Sequence, residues 1–337
     1  MATSHEPSPH AYASLTPDLV LDALDTVGVR GDGRLIALGS YENRVYQAML
    51  DDGPPVVAKF YRPGRWSDAQ IAEEHAFVRE LADAEVPSVP PRDIGGRTLH
   101  AHAGFRFAVY DKRGGRPPEL DRDEVLEWIG RFLGRLHAVG AQQRFAARPA
   151  LDPGTFGTVP RDYLLASGFI PADLRDAWTA AASLALDGVK RAYQRAGDVA
   201  PIRLHGDVHV GNVLWVDHGA ERGPHFVDFD DARSGPAIQD LWMLLSGDRE
   251  SQEQQLAKVL DGYERFRALD RRELNLVEPL RTLRLLHYSA WIAQRWDDPA
   301  FPAAFPWFGT TRYWQDRVLE LREQIGAMEE PPLAALP

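Results

Sequence analysis

Apolar residues open the chain at helical spacing: Leu19, Leu21, Leu24 and Val27 follow Thr16-Pro17-Asp18, a helix start signal, and Gly28 supplies the stop. The pattern then changes to alternation. Leu35 to Leu38 and Arg44 to Leu50 are predicted strands around a tight Gly39-Ser40 turn, and Asp51-Asp52-Gly53 predicts a second turn before the run Val56 to Tyr61. Helical spacing returns from Ser67-Asp68 to about Ala84, and Pro87, Pro90 and Pro91 mark an irregular passage after it. Two further strand-like runs, Arg97 to Ala101 and Phe105 to Tyr110, meet at a turn at Ala103-Gly104.

Lys112 to Pro118 is rich in Gly, Arg and Pro, and beyond it the pattern is mostly helical. Glu124 to Val139 sets Val125, Ile129, Phe132, Leu133 and Leu136 on one stripe, and helices follow at about Pro171 to Ala196, Ile238 to Leu245, Ser251 to Phe266, Leu274 to Trp296 and Thr311 to Met328. One β element interrupts them, with Val213 to Val216 and His225 to Phe229 flanking the turn-forming stretch Asp217 to Pro224. The plan is α+β and two-lobed: a small antiparallel-sheet N-lobe over residues 1–111, a hinge at 112–118 and a mostly helical C-lobe over 119–337.

Length agrees, since 337 residues at roughly 150 per domain make about two such units. Thirty-eight Lys and Arg against forty-nine Asp and Glu leave a net charge of −11, which argues against a nucleic-acid binder, since that needs a basic face. With no cysteine there is no disulfide framework, thiolate nucleophile or Cys-ligated zinc to consider. No window approaches a bilayer-spanning length of apolar residues; the longest candidates, such as Ala177 to Leu186, are broken by polar groups. Met1 to His10 has neither the basic start nor the apolar core of a secretion signal. The expectation is a soluble, cytoplasmic monomer with no membrane partner.

The densest polar segment is His205-Gly206-Asp207-Val208-His209-Val210-Gly211-Asn212, followed by Asp228-Phe229-Asp230-Asp231. Carboxylates at the ends of short apolar strands cost desolvation energy unless a cation or strong hydrogen bonds compensate. An Asp and an Asn five residues apart, with a second Asp on the next hairpin, offer hard oxygen ligands to Mg²⁺ while leaving one carboxylate over. Such an arrangement suits phosphate chemistry. His209 reads as a packed loop histidine rather than a ligand, and the aromatics Trp291, Trp296, Trp307, Trp314, Phe301, Phe305 and Phe308 read as core.

The order His205-Gly206-Asp207, Asn212, Asp228-Phe229-Asp230 resembles the catalytic loop and metal-binding motif of protein-kinase-like phosphotransferases, in the aminoglycoside and choline kinase branch. Gly206 stands where protein kinases have Arg, and Asp230 where they have Gly. The resemblance implies an upstream Lys and Glu. Lys59 lies in Val-Val-Ala-Lys, and Ile71, Glu74, Val78 and Leu81 fall on one helix stripe, so Glu74, rather than Glu73, is the expected partner of Lys59. The phosphate loop, Leu38 to Tyr46, has one glycine where a protein kinase shows three, with Ser40 as a further donor to phosphate.

Further features narrow the resemblance to the bacterial stress response kinase A group: Ser-Tyr-Glu-Asn-Arg-Val-Tyr from 40, Lys-Phe-Tyr-Arg-Pro at 59–63, Glu-Glu-His at 73–75, the run at 230–244, and Asp-Pro-Ala-Phe-Pro-Ala-Ala-Phe-Pro-Trp at 298–307. That resemblance implies an ATP- and Mg²⁺-dependent kinase acting on Ser or Thr hydroxyls of proteins and linked to survival under stress. Its roles would be Asp207 as base, Asn212 and Asp228 as metal ligands with Asp228 also catalytic, and Lys59, Glu74 and Ser40 toward ATP. His205 would brace the loop, and Asp240 would receive backbone or His205 donors behind it. The alternatives are a small-molecule kinase for an aminoglycoside, choline or homoserine-like hydroxyl on the same fold and, less favoured, a metallohydrolase using His205, Asp207 and His209.

Overall fold

Thr16 caps the first helix, α1 (Pro17–Thr26), by accepting a hydrogen bond from the Leu19 amide, and Gly28 at φ +78° ends it. This computed structural model describes residues 10–219 and 221–334. Of Met1 to His10, where a secretion signal would lie, only His10 is among them. The chain divides into two units, each treated on its own. The first runs to His75 and adds Pro90–Lys112 and Gln294–Pro306; the second comprises Ala76–Val89, Arg113–Ala293 and the chain from Trp307.

The first unit holds a five-stranded antiparallel sheet of β1 (Gly31–Leu38), β2 (Arg44–Leu50), β3 (Val56–Phe60), β4 (His100–His102) and β5 (Phe105–Asp111), in the order β1-β2-β3-β5-β4. Strand β1 begins four residues earlier than its apolar alternation indicates. Its polar start Gly-Asp-Gly-Arg carries no apolar alternation, yet Gly31 pairs with Leu50, and the register shifts before Leu35. β4 is shorter and later than predicted, because Ile94 and Arg97 close a tight turn instead of extending. One sheet face and α1 bury Val20, Leu24, Ala48, Ala58, Phe60 and Phe107 together. Register sets Lys59 between Val45 and Ala108. Helix α2 (Asp68–Asp83) opens on a reciprocal cap, with Gln70 N–H on Ser67 Oγ and Ser67 N–H on Gln70 Oε1. Its residues from Ala76 belong to the second unit.

The second unit is built on α3 (Asp123–Gly140), α4 (Val159–Ser167), α5 (Arg175–Ala196), α6 (Ile238–Trp242), α7 (Arg249–Tyr263), α8 (Val277–Ala293) and α10 (Thr311–Ala327); the short α9 (Ala300–Ala304) lies in the first unit. Helices α3 and α7 cross through glycines: a Cβ on Gly130 would overlap the Val259 carbonyl, and one on Gly134 the Tyr263 carbonyl. That approach brings the Tyr263 hydroxyl within 2.9 Å of His137 Nδ1 on α3.

Four short strands pair as β6 (Ile202–Leu204) with β9 (Arg233–Gly235), and β7 (Val213–Val216) with β8 (Gly223–Phe226). The β6/β9 pair and α4 carry no strong local pattern and form through long-range pairing and packing. β8 stops at Phe226, short of its predicted end, because the Val227 amide turns to the Asn212 carbonyl (3.1 Å) and Asp228 takes the left-handed conformation at φ +60°. The expected α+β class is therefore present. Among the described residues no helix is long and apolar enough to cross a membrane. Of the late aromatics, Phe301, Phe305, Phe308 and Trp314 are buried, whereas Trp307 is exposed.

Candidate active site

Lys59 and Glu74, both buried in the first unit, form an ion pair with Nζ 3.8 Å from Oε1, and the Lys59 ammonium also sits over the Tyr61 ring at 5.2 Å. Strand alternation and the helix stripe together bring about this meeting. Glu73, one residue away, is half-buried. The neighbouring His75 is fixed between the Tyr61 hydroxyl (2.7 Å) and Thr98 Oγ1 (2.8 Å), which ties α2 to the sheet beside the pair.

The single-glycine loop is held by charge. Glu42 meets Arg62 (3.0 Å), Arg65 (3.4 Å) and Arg295 (2.6 Å), and Asp298 meets Arg44 (3.0 Å) and Arg62 (2.7 Å). Arg62 also donates to the Glu42 and Tyr41 carbonyls, and its own amide donates to Asn43 Oδ1. Burial of Asp298 opposes its ionisation, but the bonds from Arg62 and the Ala300 amide and the charge of Arg44 outweigh it and hold the carboxyl below its ordinary range. Ser40 is half-buried, and among the described residues its hydroxyl has no protein partner.

In the second unit the segment from His205 to Asn212 is backed by Asp240, which is fully buried. Its Oδ2 accepts from the His205 amide (2.9 Å) and from His137 Nε2–H (3.0 Å), and its Oδ1 from the Gly206 amide (2.8 Å). Burial raises the Tyr263 phenol, keeping it protonated to donate to His137 Nδ1 at 2.9 Å. The Gly206 carbonyl takes Gln239 Nε2–H at 3.1 Å, and Glu273 accepts the Ile238 amide at 2.8 Å, its carboxyl pushed up to about 7 chiefly by burial. The His205 ring does not reach Asp240. Its Nε2–H donates to the Val227 carbonyl at 2.9 Å, and its Nδ1 receives the Asp207 amide at 3.3 Å, so it joins the loop to the hairpin.

Gly206 sits at φ +88°, and a Cβ there would overlap the Asp231 carbonyl oxygen. Loop and hairpin can approach only because the side chain is missing. Gly206→Ala is expected to destabilise the protein by about 1–3 kcal/mol and to lower activity in proportion; an unchanged melting temperature would contradict the close approach.

Asp207 is half-buried. Its Oδ1 accepts from Arg284 Nη1 at 2.8 Å, while Oδ2 has long contacts of 3.4 Å to His209 Nε2 and to Asn212 Nδ2. Asn212 Nδ2 also donates to the Asp207 carbonyl at 2.9 Å, which leaves Asn212 Oδ1 as an acceptor. Asp228 is exposed at the end of β8. An amide oxygen and a solvent-exposed carboxylate, joined through the Val227 amide, are hard donors of the kind Mg²⁺ takes when phosphate oxygens complete its shell. Among the described residues no three His, Cys, Asp or Glu side chains converge as a metal site of their own. His209 is half-buried, and its Nδ1 receives the Gly211 amide at 3.0 Å, so it shapes the turn into Asn212.

A model of the phosphotransferase enzyme family matches residues 33–276. The serine/threonine protein kinase RdoA of Salmonella typhimurium is 44% identical over 326 residues, 97% of each chain, and stress response kinase A of Escherichia coli K12 is 44% identical over 330 residues, 98% of each. The chain belongs to this phosphotransferase family, in its stress response kinase A branch. Two solved structures agree in fold: the amicoumacin kinase hAmiN with AMP-PNP, Ca²⁺ and Ami (19% identity, 93% of this chain and 94% of that one, TM-score 0.70) and a microcompartment-associated aminopropanol kinase (18%, 95% and 100%, TM-score 0.71).

Within this kinase, sequence reasoning missed Arg284, His137, Tyr263 and Asp298 as parts of the two residue clusters. Asp298 belongs to a run that carried the family resemblance, which gave a signal without a role. Arg284 is one of many helical arginines, and nothing local distinguishes it.

Proposed function

We propose that this kinase transfers the γ-phosphoryl group of ATP, with Mg²⁺, to Ser or Thr hydroxyls of proteins in the cytoplasm as part of a stress response. The observation that carries the reading is the near full-length 44% identity to a protein named as a serine/threonine kinase, with Lys59, Glu74, Asp207, Asn212 and Asp228 all in motif register. Lys59, oriented by Glu74, neutralises phosphate charge, and the amides of the loop around Gly39 with the Ser40 hydroxyl bind phosphate oxygens. Asn212 Oδ1 and Asp228 are the groups that would hold Mg²⁺. Bound there, the ion would offset charge on the phosphates. The acceptor oxygen attacks the γ-phosphorus, its proton passes to Asp207 Oδ2, the loosely held oxygen of that carboxylate, and ADP leaves.

Lys59→Met is expected to lower kcat/KM for ATP on the order of a hundredfold, read as label transfer from ATP to a mixed protein substrate. EDTA should abolish the transfer and added Mg²⁺ restore it. Brisk transfer to a metabolite hydroxyl with none to protein would replace the protein acceptor by a small-molecule one.

A further inference from the structure

A cavity of about 670 Å³ lies wholly within the second unit, next to Asp207, and its walls are rich in guanidinium groups. Arg281 and Arg284, three apart on α8, share one helix face with Leu285 and Tyr288; Arg317 reaches the same space from α10. Two acids line it as well, Glu320 and the exposed Glu323, with His209 at the Asp207 side.

Hydrogen-bonding capacity settles the sign of the cavity better than a count of charges. Each guanidinium carries five N–H donors. Arg284 uses Nη1 on Asp207, and among the described residues no other protein acceptor meets it. Arg317 uses Nη2 on Glu320, and among the described residues its buried Nε has no acceptor. Arg281 gives Nη1 to Glu278 and Nη2 to Gln252. Burial raises the Glu320 carboxyl above its ordinary range, although Arg317 pulls the other way. The cavity therefore has donors left over, beginning at the guanidinium bonded to the proposed base. A cationic acceptor such as an amino alcohol would meet three arginines; an anion would meet planar donor pairs suited to carboxylate or phosphate.

We propose that this cavity is the acceptor subsite and that it selects a hydroxyl carried beside an anionic group: a Ser or Thr flanked by Asp, Glu or a phosphorylated residue. The proposal rests on the reading of Asp207 as base. Arg284 would hold the anion next to the hydroxyl that Asp207 deprotonates, and Arg281 and Arg317 would hold charge farther along the segment.

The test measures kcat/KM on Ser peptides of one length with Glu, phosphoserine, Ala or Lys flanks, beside a hydroxy acid, a neutral polyol and an amino alcohol. Acid-flanked peptides are expected to be preferred over Lys-flanked ones by about tenfold or more. Arg281→Gln and Arg317→Gln should each shrink that ratio, and Arg281→Glu should move it toward the Lys-flanked peptide, a gain that misfolding cannot produce. A wild-type preference for Lys flanks or for the amino alcohol, or an unchanged ratio in all three variants, would overturn the proposal while leaving the kinase reading in place. Transfer to the hydroxy acid and to no peptide would instead keep the anionic subsite and remove the protein acceptor.

Discussion

Asp207→Asn is expected to lower kcat by roughly 10²- to 10⁴-fold, the usual contribution of a positioned general base. Asn matches Asp in shape: its amide oxygen can still accept from Arg284, so loop geometry persists and the loss is chemical. The pH dependence separates this from a structural effect. Burial by itself would raise the Asp207 carboxyl, but the His209 hydrogen bond and the Arg284 charge more than offset it, so the group lies below its ordinary range. In the wild type, kcat should therefore stay level through neutral and mildly acid pH and fall only below the ordinary carboxylate range. Stability follows the same sign. A depressed carboxyl stabilises the fold above its unfolded-state value, and that contribution disappears as the pH falls through the folded-state value. Comparing kcat against pH and denaturant midpoints for wild type and Asp207→Asn checks both; an Asn variant with near wild-type turnover would remove Asp207 from the mechanism.

Asp240→Ala is expected to cost about 3–5 kcal/mol, because it strips a fully buried carboxylate from three donors at once. The His205 and Gly206 amides and His137 Nε2–H all point at Asp240, in a space water does not reach, and each would lose its acceptor. A domain holds only about 5–15 kcal/mol in all, so this variant should unfold at much lower denaturant. Asp240→Asn retains one oxygen acceptor and should fall between the two. Activity should track stability: when the loop loses its anchor, Asp207 and Asn212 lose their common frame. A denaturant midpoint for Asp240→Ala close to wild type would show that Tyr263, His137 and Asp240 do not form the support described.

Much of this was legible in the chain itself. Alternation put Lys59 on a defined face of β3, and helical spacing chose Glu74 over Glu73; the two meet as those periods require. The five-residue step from Asp207 to Asn212 and the following hairpin acid were visible as spacing, and the carbonyl and amide bonds among them are local. Local sequence also determined the α+β class, because the patterns for sheet and helix occupy different stretches. It failed where local signals were weak: β6 and β9 are three residues each and exist only as a pair.

What only the tertiary structure decided is which distant residue answers each local one. Arg284 lies 77 positions from Asp207, Asp240 lies 103 from His137, and Asp298 lies 254 from Arg44. Periodicity tells which way a side chain faces, since that depends on a residue's immediate neighbours along the chain. The partner it meets depends on how separate elements pack, down to the glycine crossing of α3 and α7 that delivers Tyr263 to His137. The sequence by itself therefore determined the kinase motifs and the elements that carry them, and packing alone decided what holds those motifs still and what charge lines the cavity beside Asp207.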